Sequence, residues 1–409
     1  MNKNVWILNH YAKTPDMAGG TRHFDLSQEL VKKGYKVTIF TSGFEHSSKR
    51  YIKIKPKDKF RVENINDVRF VWLNTIPYYG NNWRRIINMI SYGVRALRVA
   101  KKFEKPNVII GSSVHPFAVV AAWWLAKRYK VRFIFEVRDL WPQTAVEMGV
   151  IKSKGIPARI LYAWEKFMYK KANKIIVLLP DAKKYIESKG ISAEKIVWIP
   201  NGVNLEQFNN PKQLGPDSNL AQLLRKNKNK FKVIYTGAHG PANGLNVVVK
   251  AASILQKNHN EVQFFLIGNG VEKEKLQYNA EKYNLKNIHF FSSIPKEQIP
   301  GLLQYADLLL HCLAPVNVFK YGISPNKVFD YLVSGKPVIM SVKTSNNIVQ
   351  EAGVGITVEP GNAEAFAKGI VKIQEMAPEE RQKLGANGRV YVEKYHSSKI
   401  LVEKLEKIL

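Results

Sequence analysis

Val5 to Ser42 reads VWILNHYAKTPDMAGGTRHFDLSQELVKKGYKVTIFTS. A short apolar run, VWIL, gives way to a loop carrying Gly19 and Gly20. The segment TRHFDLSQELVKKG then repeats its apolar residues at helical spacing, and YKVTIFTS returns to a β-rich run. The same alternation continues through NVIIGSS, VRFIFEV, KIIVLL and KIVWIP, each separated by a segment with helical spacing. Strands alternating with helices imply βα units, hence an α/β fold with a parallel sheet and helices on both faces.

The rhythm breaks at IPNGVNLEQFNNPKQLGPDSNL, residues 199–220, which is rich in Asn, Pro and Gly and reads as a linker. It restarts at FKVIYTG and runs through VQFFLIG, IHFFSS, DLLLHC, PVIMSV and GITVEP. Two Rossmann-like doubly wound domains facing a central cleft are therefore expected. They span 1–199 and 221–391, with 200–220 between them and a last helix, about 392–409, returning to the first domain. A chain of 409 residues with 45% hydrophobic content can fill two cores. In such sheets ligands sit beyond the carboxyl ends of the strands, so those loops carry the functional expectations.

The single cysteine, Cys312, excludes an intrachain disulfide and lies at the end of an apolar strand. The N-terminal apolar run is too short for a signal peptide. FAVVAAWWLA, 117–126, is about half the length a bilayer crossing requires. A cytoplasmic protein is expected. Its 63 basic against 33 acidic residues, net +30, favour polyanions such as nucleic acid, nucleotide phosphates or an anionic membrane face. A lysine-rich surface without a specific partner is the plainer reading.

Three loops could hold phosphate. In KYGISPNKVFDYLVSGKPVIM, 320–340, Ser324 is a candidate N-cap and Pro325 suits the first helical position. Lys327 then falls in the first turn, where the helix dipole already favours an anion and a cation opposes it. A phosphate between them would resolve that conflict. Asp330 lies one turn on and could accept from paired sugar hydroxyls; an intrahelical Lys327–Asp330 pair is the structural alternative. In YTGAHGPANGLNVVVKAA, Gly237, Gly240 and Gly244 separate a strand from a helix opening at Leu245, and let backbone approach a diphosphate. Gly19 and Gly20 occupy the equivalent loop of the first domain. Each of these two glycine loops could equally be an ordinary βα turn. Together they suggest a ligand in the cleft.

The GG loop, IPNGVNLEQF, LIGNG (266–270), YADLLL (305–310) and FDYLVSGKPVI (329–339) resemble, in order, the family-4 glycosyltransferases. These have the two-domain GT-B architecture and retain anomeric configuration. FEVRDLWPQ and GISPNKVFDY look most like the branch that transfers N-acetyl-L-fucosamine, or a related amino sugar, to undecaprenyl-diphosphate-linked saccharides of bacterial O-antigen and capsule. The resemblance implies a UDP-sugar donor in the C-terminal domain, held by Gly237, His239, Gly240, Gly268, Gly322, Ser324, Asn326, Lys327 and Asp330, with Gly19 and Gly20 facing it. Asp330 matches the second acid of the family's E-x7-E motif; the first acid's position is Gly322. The Arg and Lys that normally neutralise the diphosphate fall on Ala238 and Asn243, so Lys327 is the expected substitute, aided by backbone and His239.

On the acceptor side the resemblance points to Arg138 and Asp139, Arg138 standing where relatives have histidine. A buried Arg–Asp pair capping the strand is the alternative. His115, at another strand end, is a further candidate. The leaving phosphate is an alternative acceptor of the proton. No cluster has metal-ligand spacing, so no metal and no cofactor beyond the donor are expected.

Residues 81–103, NNWRRIINMISYGVRALRVAKKF, set Trp83, Ile86, Ile87, Ile90, Val94 and Leu97 against Arg84, Arg85, Arg95, Arg98, Lys101 and Lys102. Such a helix can lie on the anionic inner face of a membrane, which a polyprenyl-linked acceptor would require; packing on its own sheet is the alternative. SSKRYIKIKPKDKFR, from Ser47, adds basic residues. Rival readings are a GT-B epimerase or hydrolase, an inactive relative, and a nucleic-acid-binding protein. The last lacks any RNP, KH, zinc-finger or basic-zipper pattern.

Overall fold

The computed structural model describes residues 3–80, 82–113 and 115–409. It contains two large sheets, each flanked by helices. The first runs Ile196–Trp198, Lys174–Val177, Arg132–Val137, Val108–Ser112, Asn4–Leu8, Lys36–Ser42, Val68–Leu73 and Phe60–Ile65. The second runs Ile288–Phe291, Val262–Ile267, Phe231–Thr236, Leu308–Cys312, Val338–Ser341 and Gly355–Val358, all parallel. In both, the order reverses beside the domain's first strand, which opens a crevice at its carboxyl end.

All of the expected β-rich runs form strands. The hairpin Phe60–Ile65/Val68–Leu73 was not anticipated; it is antiparallel at the sheet edge. Its two-residue turn, Asn66-Asp67, has both φ positive (48° and 61°), the twist a tight hairpin needs. Asn-Asp was the available signal.

The chain crosses between the domains twice, and the crossings lie side by side. Val203 N–H donates to His396 carbonyl (3.0 Å), and Ser398 N–H donates to Val203 carbonyl (3.0 Å). The last helix, Ser398–Glu406, buries Leu401, Val402 and Leu405 in the N-terminal core beside Phe24 and Leu30. The first crossing is fixed by a buried polar network. Arg22 donates to the carbonyls of Ile199 (2.8 Å) and Pro200, and its Nε reaches Glu136 at 2.9 Å. Glu136 also meets His23 (2.6 Å) and Ser112 Oγ (2.6 Å). Burial opposes ionisation of Glu136, but His23 and Arg22 hold its carboxyl well below its ordinary value.

Breaking a buried pair by removing one partner leaves an uncompensated charge. Glu136→Ala should therefore destabilise the protein by roughly 3–5 kcal/mol in denaturant unfolding. Glu104→Ala, which removes an exposed pair with Lys36 at 3.4 Å, should change stability by at most about 1 kcal/mol.

Candidate active site in the interdomain cleft

Two adjoining cavities lie where residues after the strands of both sheets meet. The first, about 340 Å³, is lined by Gly19 and Gly20 of the N-terminal domain and by Gly237, Gly268, Lys296, Lys327 and Asp330 of the other. The second, about 360 Å³, is lined by Arg138, Asp139, Leu178, Val318, Phe319 and Gly322, among others. Pro325 and Asn326 border both.

The helix expected near Pro325 spans Asn326–Val333, with Pro325 in the cap position. Ser324 is not its cap. Its hydroxyl accepts from Asn201 N–H (2.8 Å), and its carbonyl accepts from Asn201 Nδ2 (2.5 Å). Ser324 thus ties the helix entrance to the interdomain crossing and borders the second cavity, not the first.

Lys327 lies in the first turn as expected. Its Nζ donates to Tyr235 Oη (2.7 Å) and Asn243 Oδ1 (3.2 Å) and sits 4.2 Å from the centre of the Tyr235 ring. Among the described residues it has no acidic partner, and burial lowers its pKa to about 7. Gly237 makes this possible: its φ is +142°, and a Cβ there would collide with Lys327 Nζ. The glycine thus clears room for the ammonium as well as for a ligand.

Asp330 does not pair with Lys327. Both of its oxygens accept from Lys296 Nζ at 2.5 Å, and both residues are buried. Burial raises the Asp330 carboxyl, against the pull of Lys296. The expected ribose contact must therefore share Asp330 with Lys296, which the sequence reading missed. Asp25 of the first domain faces the same pair; burial raises its pKa to about 6. Backbone contacts continue the seam, Lys296 N–H to Met17 carbonyl and Glu297 N–H to Pro15 carbonyl, both 3.0 Å.

At Gly322 φ is +97°, and a Cβ would meet Pro180 of the opposite domain at 2.5 Å. An acid cannot stand there without moving the domains apart.

Several expectations are corrected. His239 is fully buried behind the glycine loop and does not line either cavity. Burial, then Lys273 and Lys327, lower its pKa to about 4, so it adds no positive charge at neutral pH. Gly240 lies outside both cavities, with open space where a Cβ would go apart from Asn243 at 3.9 Å. His115 is also away from both. Its Nε2 is 2.8 Å from His10 Nδ1, and burial, then Arg85, lower its pKa to about 3. Arg138 and Asp139 do border the second cavity, and among the described residues they form no ion pair with each other. Asp139 is exposed at the mouth of the second cavity, and desolvation by its surroundings raises the carboxyl against the pull of Arg138. Among the described residues no three His, Cys, Asp or Glu side chains gather as metal ligands.

Residues 19–207 match the family described as Glycosyltransferase Family 4, and residues 218–391 match Glycosyl transferases group 1. The chain carries both glycosyltransferase domains and is a glycosyltransferase with the GT-B fold. It is 24% identical to the putative colanic acid biosynthesis glycosyl transferase WcaI of Escherichia coli K12 over 90% of each chain. Sucrose-phosphate synthase of Thermosynechococcus elongatus superposes with a TM-score of 0.76 at 18% identity, covering 99% of this chain and 98% of the other. Anabaena HepE in complex with UDP-glucose superposes at 0.70 with 14% identity and the same coverages.

Lys327 opposes folding while it is charged. Its folded pKa lies below the usual lysine value of 10.5, so the penalty is full below about pH 7 and fades as pH rises towards 10.5. Lys327→Met should raise the unfolding midpoint of the ligand-free protein, more at pH 6 than at pH 9.5. An equal effect at both would deny the uncompensated charge.

Proposed function

We propose that this glycosyltransferase transfers a sugar from a UDP-sugar, with retention of configuration, to a lipid-diphosphate-linked saccharide during assembly of a surface polysaccharide. The observation that carries the donor half is Lys327, a partly buried cation without an acidic partner among the described residues, at the positive end of a helix and beside a glycine loop. The nucleotide fits the first cavity, with its diphosphate at Lys327 and Gly237 and its ribose towards Asp330. The bound UDP-glucose of HepE supports a uridine nucleotide, and the colanic acid role in the name of WcaI supports a surface polysaccharide.

The sugar then reaches the second cavity past Asn326. Leu178, Leu313, Val318 and Phe319 offer that cavity an apolar wall, which suits the methyl of a 6-deoxy sugar such as N-acetyl-L-fucosamine. In the reaction the bond from sugar C1 to the β-phosphate oxygen breaks, and the acceptor oxygen bonds to C1 from the same face. The acceptor proton passes to the leaving phosphate, or to Asp139. Lys327 stabilises the charge that grows on the leaving phosphate, and removing one such preorganised contact typically costs about 2.7–4 kcal/mol in the transition state.

A membrane-bound acceptor calls for contact with the bilayer. Among the described residues no helix is long and apolar enough to cross a membrane. The helix Trp83–Val99 packs on its own domain through Asn88, Ser91, Tyr92, Ala96 and Val99. Trp83, Ile86, Ile90 and Val94 stay 64%, 53%, 41% and 39% exposed. This apolar stripe, flanked by arginines, supports peripheral attachment to the anionic inner face of the cytoplasmic membrane.

UDP should raise the unfolding midpoint more than GDP or ADP, through binding to the native state. Lys327→Ala should lose most of that rise. No rise with any nucleotide would contradict the donor-site reading.

A further inference from the structure

A second cationic cluster lies on the first domain, outside the donor cavity. It is built from segments that leave the carboxyl ends of three neighbouring strands. Tyr11 follows Asn4–Leu8, His46 and Lys49 follow Lys36–Ser42, and Tyr78 follows Val68–Leu73. The first turn of the helix Trp83–Val99 brings Arg84 and Arg85, with no acid in that turn to match the dipole. Lys49 Nζ is 2.9 Å from His46 Nδ1 and 4.3 Å from the centre of the Tyr78 ring, and Tyr78 Oη contacts His46.

Arg85 acts electrostatically on His10, His46, Lys49 and His115, lowering the proton affinity of all four. Glu45, the carboxylate facing His46, is taken by Lys13 at 2.9 Å. Among the described residues Lys49 has no acidic partner. The buried Nδ1 of His115, behind the cluster, has no hydrogen-bond partner among the described residues. The three histidines are neutral at pH 7, so the charge is that of Lys49 and Arg85, which repel each other beside a helix start without acids; that arrangement has the electrostatics of an anion site.

The apolar stripe begins in the same helical turn, at Trp83 and Ile86, and runs towards the helix C-terminus through Ile90 and Val94. Charge at the cleft end and hydrocarbon-compatible surface below it match one kind of ligand: a phosphate group attached to a lipid chain. We infer that Lys49 and Arg85, with the neutral His46 beside them, bind the diphosphate of the lipid-linked acceptor, setting its saccharide towards the cleft while its chain follows the exposed stripe. The inference rests on the proposed transfer to such an acceptor and assigns where that acceptor is gripped.

The test is titration calorimetry of farnesyl diphosphate and of farnesol, with saturating UDP present to fill the donor cavity. Wild type is compared with Lys49→Gln, a partly exposed position, and with Arg85→Gln. Each variant should bind farnesyl diphosphate at least tenfold more weakly, with farnesol and UDP binding unchanged. Unaltered farnesyl diphosphate affinity in both variants, or an equal loss for farnesol, would overturn the inference. Vesicles of phosphatidylglycerol and phosphatidylcholine form a third arm. If Lys49→Gln loses vesicle binding in parallel with farnesyl diphosphate, the cations serve bilayer headgroups and the inference falls. A failure of UDP to bind in its own titration would instead count against the donor reading, and the contrast between the Lys49 proteins would still decide this site.

Discussion

The segment Ile199–Asn201 is the constraint from which the cleft takes its shape. Its carbonyls at Ile199 and Pro200 accept from Arg22, whose guanidinium is neutralised by Glu136 in the first domain. One residue on, Asn201 grips Ser324 at the entrance to the helix Asn326–Val333 in the second. Three consecutive residues therefore position the helix that carries Lys327 and Asp330 against the carboxyl ends of a sheet in another domain. The ion pair behind them is buried, so its worth lies in orientation more than in net stability. The parallel crossing at His396–Ser398 limits rotation about the first, since both must move together.

Against that fixed frame the first cavity is electrostatically unfinished. Lys296 and Asp330 satisfy each other, and Asp25 faces them across the seam. Lys327 has only a phenol, an amide oxygen and an aromatic face. Holding an ammonium there costs folding energy that a diphosphate would return on binding. The two charge systems differ: one is satisfied within the protein beside the seam between the domains, and the other has no counter-charge among the described residues.

The sequence made the architecture legible because strand and helix periods alternate without interruption, and because 199–220 breaks them cleanly. The edge hairpin escaped, since its outer strand, FRVENI, is largely exposed and carries little apolar signal. Lys327 was readable as a cation in the wrong place for a helix. The partner of Asp330 was not. Lys296 lies 34 residues earlier, in a 3-10 turn, and no local pattern relates the two. Ser324 misled for a physical reason: a serine before a proline is a good cap in isolation, but a tertiary donor from Asn201 competed for its oxygen. His115 and His239 were expected from their places at a strand end and in a glycine loop, and burial leaves each of them neutral and off the cavities.

The central claim is that Lys327 awaits a diphosphate, and proton linkage tests it most directly. Near pH 8.5 a free lysine of pKa about 7 is mostly neutral, whereas a bound diphosphate would return it towards its ordinary value. UDP binding measured by calorimetry in two buffers of different ionisation enthalpy should then show uptake of about one proton at pH 8.5 and little at pH 6. The uptake should vanish in Lys327→Met. UDP binding without proton uptake at pH 8.5, or uptake that persists in the variant, would contradict the account.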